Sequence, residues 1–225
     1  RRDNAFKARI KILVKAEGER FVQAVNDEFA AILARDADGA AHLIPQAEFD
    51  RVASHFTLPG TVRAICAGGN GAPSGAPVAF QRWLERNVHG HKVPGYRAVT
   101  LSLKRAGQAP GDVTDAQLEQ VAALADRYSS GEARVTHDQN LLLPWVPEFE
   151  LYALWQAARD AGFATPNIGL LSDMIACPGG DYCALANARS IPIAAALTER
   201  WQDLDELYDI GDIDLHMSGC INSCG

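Results

Sequence analysis

Ala176-Cys177-Pro178-Gly179-Gly180-Asp181-Tyr182-Cys183 and, at the end of the chain, Gly219-Cys220-Ile221-Asn222-Ser223-Cys224-Gly225 together carry four of the five cysteines. The first pair is spaced Cys-x5-Cys and the second Cys-x3-Cys. Gly, Pro and Ser surround both pairs, so the backbone can bend around something compact. Thiolates are soft ligands, and four of them converging suit a [4Fe–4S] cluster or zinc. Structural zinc sites usually set roughly two to four residues between paired ligands. The longer first spacer therefore leans towards iron–sulfur. Two disulfides, or four unrelated buried thiols, are the plainer alternatives.

Between the two pairs, Asp181 and Ser190 read as helix caps, and Pro192 stands where a first helical residue tolerates it. Ile193, Leu197 and Trp201 mark a buried helix face. A helix starting at or near Cys183 would aim backbone amides at cluster sulfurs. Ile213, Leu215 and Met217 alternate with Asp214 and His216, as in a strand that delivers Cys220.

Working outward, residues 95–165 have a sharp pattern. Val99, Leu101 and Leu103 alternate with Thr100, Ser102 and Lys104, which predicts a half-buried strand. Thr114-Asp115-Ala116-Gln117 is a capping-box start, and Leu118, Val121, Leu124, Ala125 and Tyr128 give the following helix its apolar face, with Gly131 ending it. Strands follow at 133–136 and 140–144. Leu151, Leu154, Trp155 and Ala158 line a second helix that Gly162 closes. Strand–helix–strand–strand–helix is the order of a ferredoxin-like α+β half-domain. His137, Gln139 and Asn140 sit at its strand crossing, where they either touch a cofactor edge or satisfy local backbone groups.

The first third is less structured in its pattern. Residues 5–34 read as helix, interrupted at Gly18, and residues from Ile44 to about Phe56 as a short helix. Residues 67–77 form a loop. Its Gly69-x-Gly71 lacks the Gly-Lys-Ser/Thr ending of a phosphate-binding loop, so a flexible connection is the better reading. Phe80, Trp83 and Leu84 mark another short helix, and His89-Gly90-His91 reads as an exposed pair without a metal partner nearby. Cys66 stands apart from the other four and reads as a small buried apolar residue.

The arrangement Cys-x5-Cys … Cys-x-Asn-x-Cys-Gly resembles the siroheme-dependent nitrite and sulfite reductases. Thr136-His137-Asp138-Gln139-Asn140-Leu141 is similar to the family's Thr-x-x-Gln-Asn-Leu strand pair, and Arg1 to Lys11 to a basic helix that follows its first cofactor-facing half. The likeness is weak across residues 35–90 and strong from about residue 95. It implies that Cys177, Cys183, Cys220 and Cys224 are metal ligands holding a [4Fe–4S] cluster. It implies that Cys224 also bridges to the siroheme iron and that Asn222 lies against the siroheme. The implied activity is six-electron reduction of a small oxyanion, sulfite to sulfide or nitrite to ammonia, and the reading leans to sulfite. An electron-donor protein, ferredoxin or an NADPH-linked flavoprotein, is implied as partner. An iron–sulfur or zinc relay module without siroheme is the alternative of another class.

The expected fold is α+β, a ferredoxin-like half-domain followed by an α/β [4Fe–4S]/siroheme domain. Residues 1–35 are expected to form a helical connection from an absent N-terminal half, 36–94 a loop-rich linker with short helices, 95–165 the half-domain, and 166–225 an iron–sulfur and siroheme domain incomplete at its end. The chain opens on Arg-Arg rather than Met, and reads as an internal segment of a longer reductase, inactive alone. The substrate-binding Arg and Lys are expected in the absent half. A net charge of −7 over 225 residues argues against a nucleic-acid or anionic-membrane surface. No apolar run reaches membrane-span length, and reduced, metal-bound cysteines fit the cytoplasm.

Overall fold

A computed structural model describes residues 10–36, 39–63, 65 and 68–222. Contacts divide the chain into one unit up to Leu58 and another from Pro59. The first unit is helical: α1 (Ile10–Glu17), α2 (Glu19–Arg35), a short 3-10 turn and α3 (Gln46–Ala53). The expected break falls at Gly18, whose φ of 56° ends α1 before α2 begins. The basic cluster at Arg1, Arg2, Lys7 and Arg9 lies outside the described residues.

The second unit opens with α4 (Val78–Asn87), followed by β1 (Val88–His89), β2 (Tyr96–Leu101), α5 (Asp115–Tyr128), β3 (Arg134–Val135), β4 (Leu141–Pro147) and α6 (Leu151–Asp160). The four strands form one antiparallel sheet in the order β1-β2-β4-β3. Val99 pairs with Leu143 and Leu101 with Leu141 at its centre. Here α5 starts on the predicted capping box: Gln117 N–H donates to Thr114 Oγ1 at 3.2 Å and Thr114 N–H to Gln117 Oε1 at 2.8 Å. Val121, Leu124, Ala125 and Tyr128 are buried as expected, but Leu118 is half exposed, because it lines an open groove with Val113, Val135 and Leu141. Leu151, Leu154, Trp155 and Ala158 of α6 are all buried.

Phe80 and Trp83, on the short helix the sequence reading sets in a linker, are fully buried in the same core. Phe80 meets Tyr152 edge-on at 5.0 Å and Trp155 at 5.4 Å, so α4 is part of the half-domain's packing. The glycine-rich loop before it is tied in as well, since Tyr152 N–H donates to Asn70 O at 3.0 Å.

The strand expected to be half buried is covered on both faces: Thr100, Ser102 and Lys104 are buried along with Val99, Leu101 and Leu103. The segment after α6 covers the polar face. Ser102 N–H donates to Phe163 O at 3.0 Å, and Ser102 Oγ to Asn167 Oδ1 at 2.8 Å. Asn167 Nδ2 in turn donates to Ser172 Oγ at 3.1 Å, and such pairing is what permits a polar face to be covered.

The chain continues through β5 (Ile175–Ala176), α7 (Ile191–Arg200), α8 (Leu204–Ile210) and β6 (His216–Met217). β5 and β6 pair in parallel, and Met174, Ala176 and Ala194 form a small core with Leu197, Leu215 and Met217. The strand expected across 213–217 shrinks to two residues, and Ile213 is exposed. Ile193 is exposed too, because Ala194 and Thr198 are the residues α7 buries. α8 docks on α4: Tyr208 lies against the guanidinium groups of Arg82 at 4.7 Å and Arg86 at 5.2 Å. Arg82 pairs with Asp205 and Arg86 with Asp212. No helix among the described residues is long and apolar enough to cross a membrane.

Candidate functional site

The first cysteine loop hangs from β5. Ile175 N–H donates to Leu215 O and Cys177 N–H to Met217 O, both at 3.0 Å, so β6 fixes the backbone on either side of Ala176. Beyond Cys177 the chain makes a 3-10 turn at Gly179–Asp181. The helix expected at Cys183 does not form. Instead Cys183 N–H folds back to Gly179 O at 2.9 Å, and Ala186 N–H to Cys183 O at 3.1 Å. The loop is too rich in short tight bonds to open into α-helix before Ser190.

The second cysteine segment locks into the first. Asn187 and Ala188 N–H groups donate to Gly219 O at 2.8 and 3.0 Å. Gly219 N–H donates to Cys177 Sγ at 3.0 Å. Only glycine permits this approach: a Cβ at Gly219 would stand 2.6 Å from Ala188 O and 2.8 Å from Gly179 Cα.

Cys177 is buried and Cys183 and Cys220 are partly exposed, all three as free thiols. The Cys177 thiol is held below its ordinary range, first by the Ser190 hydroxyl 3.5 Å away and next by the Gly219 N–H, against the opposing effect of burial. Ser190 has one hydroxyl hydrogen, and it goes to Cys177 O at 2.6 Å, so the Gly219 N–H is the directed donor to the sulfur. Ser190 thus stands at the start of α7 without capping it: its hydroxyl serves Cys177 instead. Asp181, the other expected cap, pairs with Arg189 at 2.6 Å, while Arg134 pairs with Glu132.

The donor chemistry fits an iron–sulfur cluster better than an inert core. A sulfur that accepts a backbone N–H is stabilised as thiolate, the form that ligates metal. Cys177, Cys183 and Cys220 could supply three thiolates. Cys224 lies outside the described residues, as does Cys66. Among the described residues no three metal-ligating side chains meet at one point. Asn222 is described and exposed.

The strand-crossing residues divide by role. His137 is exposed, 3.1 Å from its neighbour Asp138. Asn140 is buried and satisfies backbone and side chain alike: its Oδ1 accepts from Leu103 N–H at 3.0 Å and its Nδ2 donates to Asp173 Oδ1 at 2.8 Å. Gln139 reaches Ala176, next to the first cysteine, through two hydrogen bonds. His89 bonds Thr100 Oγ1 and His91 packs edge-on to Trp145, so neither reads as a metal ligand.

Three contributors escaped the sequence reading. Ser190 and Gly219 look like ordinary cap and loop residues until the fold sets them beside Cys177. Lys104 is buried, with Nζ donating to Asp138 O at 2.7 Å. Burial lowers its pKa to about 8, and the carboxylates of Asp173 and Asp138 oppose that shift. Only its place on the polar side of the alternating strand hinted at it.

Residues 89–161 match the family model for the nitrite/sulfite reductase ferredoxin-like half domain. The ferredoxin–nitrite reductase of Synechococcus elongatus is 31% identical over 168 residues, which cover 72% of this chain and 31% of that protein. The chloroplastic ferredoxin–nitrite reductase of Oryza sativa subsp. japonica is 30% identical over 148 residues, covering 64% and 24%. The NADPH sulfite reductase hemoprotein beta-component of Salmonella typhi is 31% identical over 101 residues, covering 44% and 18%. The chain therefore spans about a third or less of these relatives. In fold it resembles the Mycobacterium tuberculosis NirA protein, with a TM-score of 0.51 at 22% identity over 98% of this chain and 34% of that one. Residues 89–161 thus carry the half domain of the nitrite/sulfite reductase family, and the chain around them resembles reductases of that family.

Proposed function

We propose that the protein serves a siroheme- and [4Fe–4S]-dependent oxidoreductase that reduces a small oxyanion by six electrons. The observation that carries this reading is the hydrogen bond from Gly219 N–H to Cys177 Sγ, which joins two cysteine segments 42 positions apart. Cys177, Cys183, Cys220 and Cys224 would hold the cluster. Cys224 and Asn222 would also help to hold the siroheme. When bound, the cluster would relay electrons from the donor protein and the siroheme would supply the iron at which the oxyanion is reduced. The chain's own residues position and tune: β6 and the Ser190 hydroxyl fix the backbone around Cys177, while the Gly219 N–H stabilises charge on its sulfur. Arg189 and Arg134 are paired to carboxylates, so the cations that bind the oxyanion are sought elsewhere in the protein.

Nitrite is the first substrate to test. The nitrite reductase of Synechococcus elongatus aligns with 72% of this chain, against 44% for the sulfite reductase component of Salmonella typhi. Sulfite, to which the motifs alone lean, is the second reading. Ferredoxin or an NADPH-linked flavoprotein would supply electrons, in the cytoplasm, where thiols stay reduced.

The test is an anaerobic absorption spectrum of the holoprotein, with iron, zinc and acid-labile sulfide assayed on the same sample. Siroheme bands with about four labile sulfides per chain support the reading, and turnover with each oxyanion then chooses between them. Zinc, or labile sulfide without a macrocycle band, would make this a structural or relay domain instead.

A further inference from the structure

We infer that Gln139 is a positioning residue for Cys177, acting as a side-chain surrogate for the strand that β5 lacks on its second edge. Among the described residues β5 has a neighbouring strand on one side only: Ile175 and Cys177 N–H groups donate to Leu215 O and Met217 O. The N–H and C=O of Ala176 point the other way, as alternate residues of a strand do. Gln139 meets both groups. Its Nε2 donates to Ala176 O at 2.8 Å, and Ala176 N–H donates to its Oε1 at 3.0 Å. One primary amide thus mimics the paired donor and acceptor of a neighbouring strand, one residue before Cys177.

The backbone around Gln139 is arranged for this reach. Gln139 has φ 55°, a left-handed conformation that long side chains rarely adopt. It is held there by the tight turn in which Thr136 N–H donates to Asn140 O at 2.9 Å. Gly111 makes room beneath it, since a Cβ at that position would stand 2.8 Å from Gln139 Cβ. Asn140 anchors the turn from the other side, through Leu103 and Asp173. The half-domain sheet therefore sets the position of Cys177 through one side chain, and a shift of this turn moves the candidate ligand loop with it.

The consequence for the cluster rests on the reading of Cys177 as a ligand; the clamp itself does not. Gln139→Asn separates reach from backbone preference. Asparagine keeps the amide and suits the left-handed conformation better than glutamine, but is one methylene short of Ala176. Gln139→Met keeps the length and loses both bonds. Amide hydrogen exchange and the rate of cluster loss to a chelator are measured on the holoprotein of each. Loss of two backbone-directed hydrogen bonds predicts about tenfold or faster exchange at Ala176 in both variants. Cluster loss should accelerate in the same order, with exchange at Val99 and Leu143 in the central sheet unchanged. Wild-type exchange at Ala176 in Gln139→Asn would overturn the proposal and leave Gln139 a turn residue. Equal acceleration at Val99 and Leu143 would overturn it too, as general destabilisation. Should wild type hold no labile sulfide, the ligand reading of Cys177 falls, and exchange at Ala176 still decides the clamp.

Discussion

Gly219 occupies a position where one added carbon has nowhere to go. Gly219→Ala would drive a Cβ into Ala188 O and Gly179 Cα, so the loop must shift and the N–H bond to Cys177 Sγ is lost. The expected outcome is loss of most labile sulfide from the holoprotein, with the half-domain still folded by circular dichroism. Retention of wild-type sulfide would show that the second cysteine segment does not need this approach. Lys104 makes a prediction of a different kind. Its pKa is about 8 in the folded chain and about 10.5 when exposed. Between these values the unfolded state binds more protons, so stability rises with pH across that window and the cost of burying the charge is fully present below it. Lys104→Met removes the titrating group, and thermal midpoints measured from pH 7 to 10.5 should lose that rise. An unchanged slope would assign the pH dependence to other groups.

At the scale of elements, α5 was legible because its start is local. A capping box is written in four consecutive residues, and Thr114 and Gln117 make both of its bonds. Thr114→Ala should cost about 1 kcal/mol in chemical denaturation; a change under a few tenths would mean that packing alone sets the helix start. α4 was only half legible. Its amphipathic pattern marked a helix, but not its membership of the core, because nothing near it in sequence supplies its partners. Those come from α6, some 70 positions on: Tyr152 and Trp155 around Phe80. Phe80→Ala should destabilise by about 3–5 kcal/mol, lowering the thermal midpoint and loosening α6 with α4. The helix expected at Cys183 is absent for a matching reason: Asp181, the cap-like residue before it, bonds Arg189 instead, and a cap signal carries no information about competing partners.

For the second unit as a whole, the cysteine-bearing segment is held to the half-domain at two places besides the bonds from Ser102 to Asn167 and from Gly107 to Thr198. One is the polar network from Gln139 and Asn140 to Ala176 and Asp173. The other is α8 on α4, where Tyr208 lies against Arg82 and Arg86. Tyr208→Ala should expose residues 203–214 to limited proteolysis several-fold faster while 96–160 stays resistant; uniform cleavage would mean that the two parts unfold together. The sequence by itself determined the α+β class and the half-domain's order of elements, since period and turn chemistry are local patterns. Tertiary structure alone decided that a polar strand face is buried, and that Ser190, Gly219 and Gln139 converge around the Cys177 segment. Each of these depends on which distant group arrives to accept or donate a hydrogen bond, and close approach of that kind is encoded only in the fold's geometry.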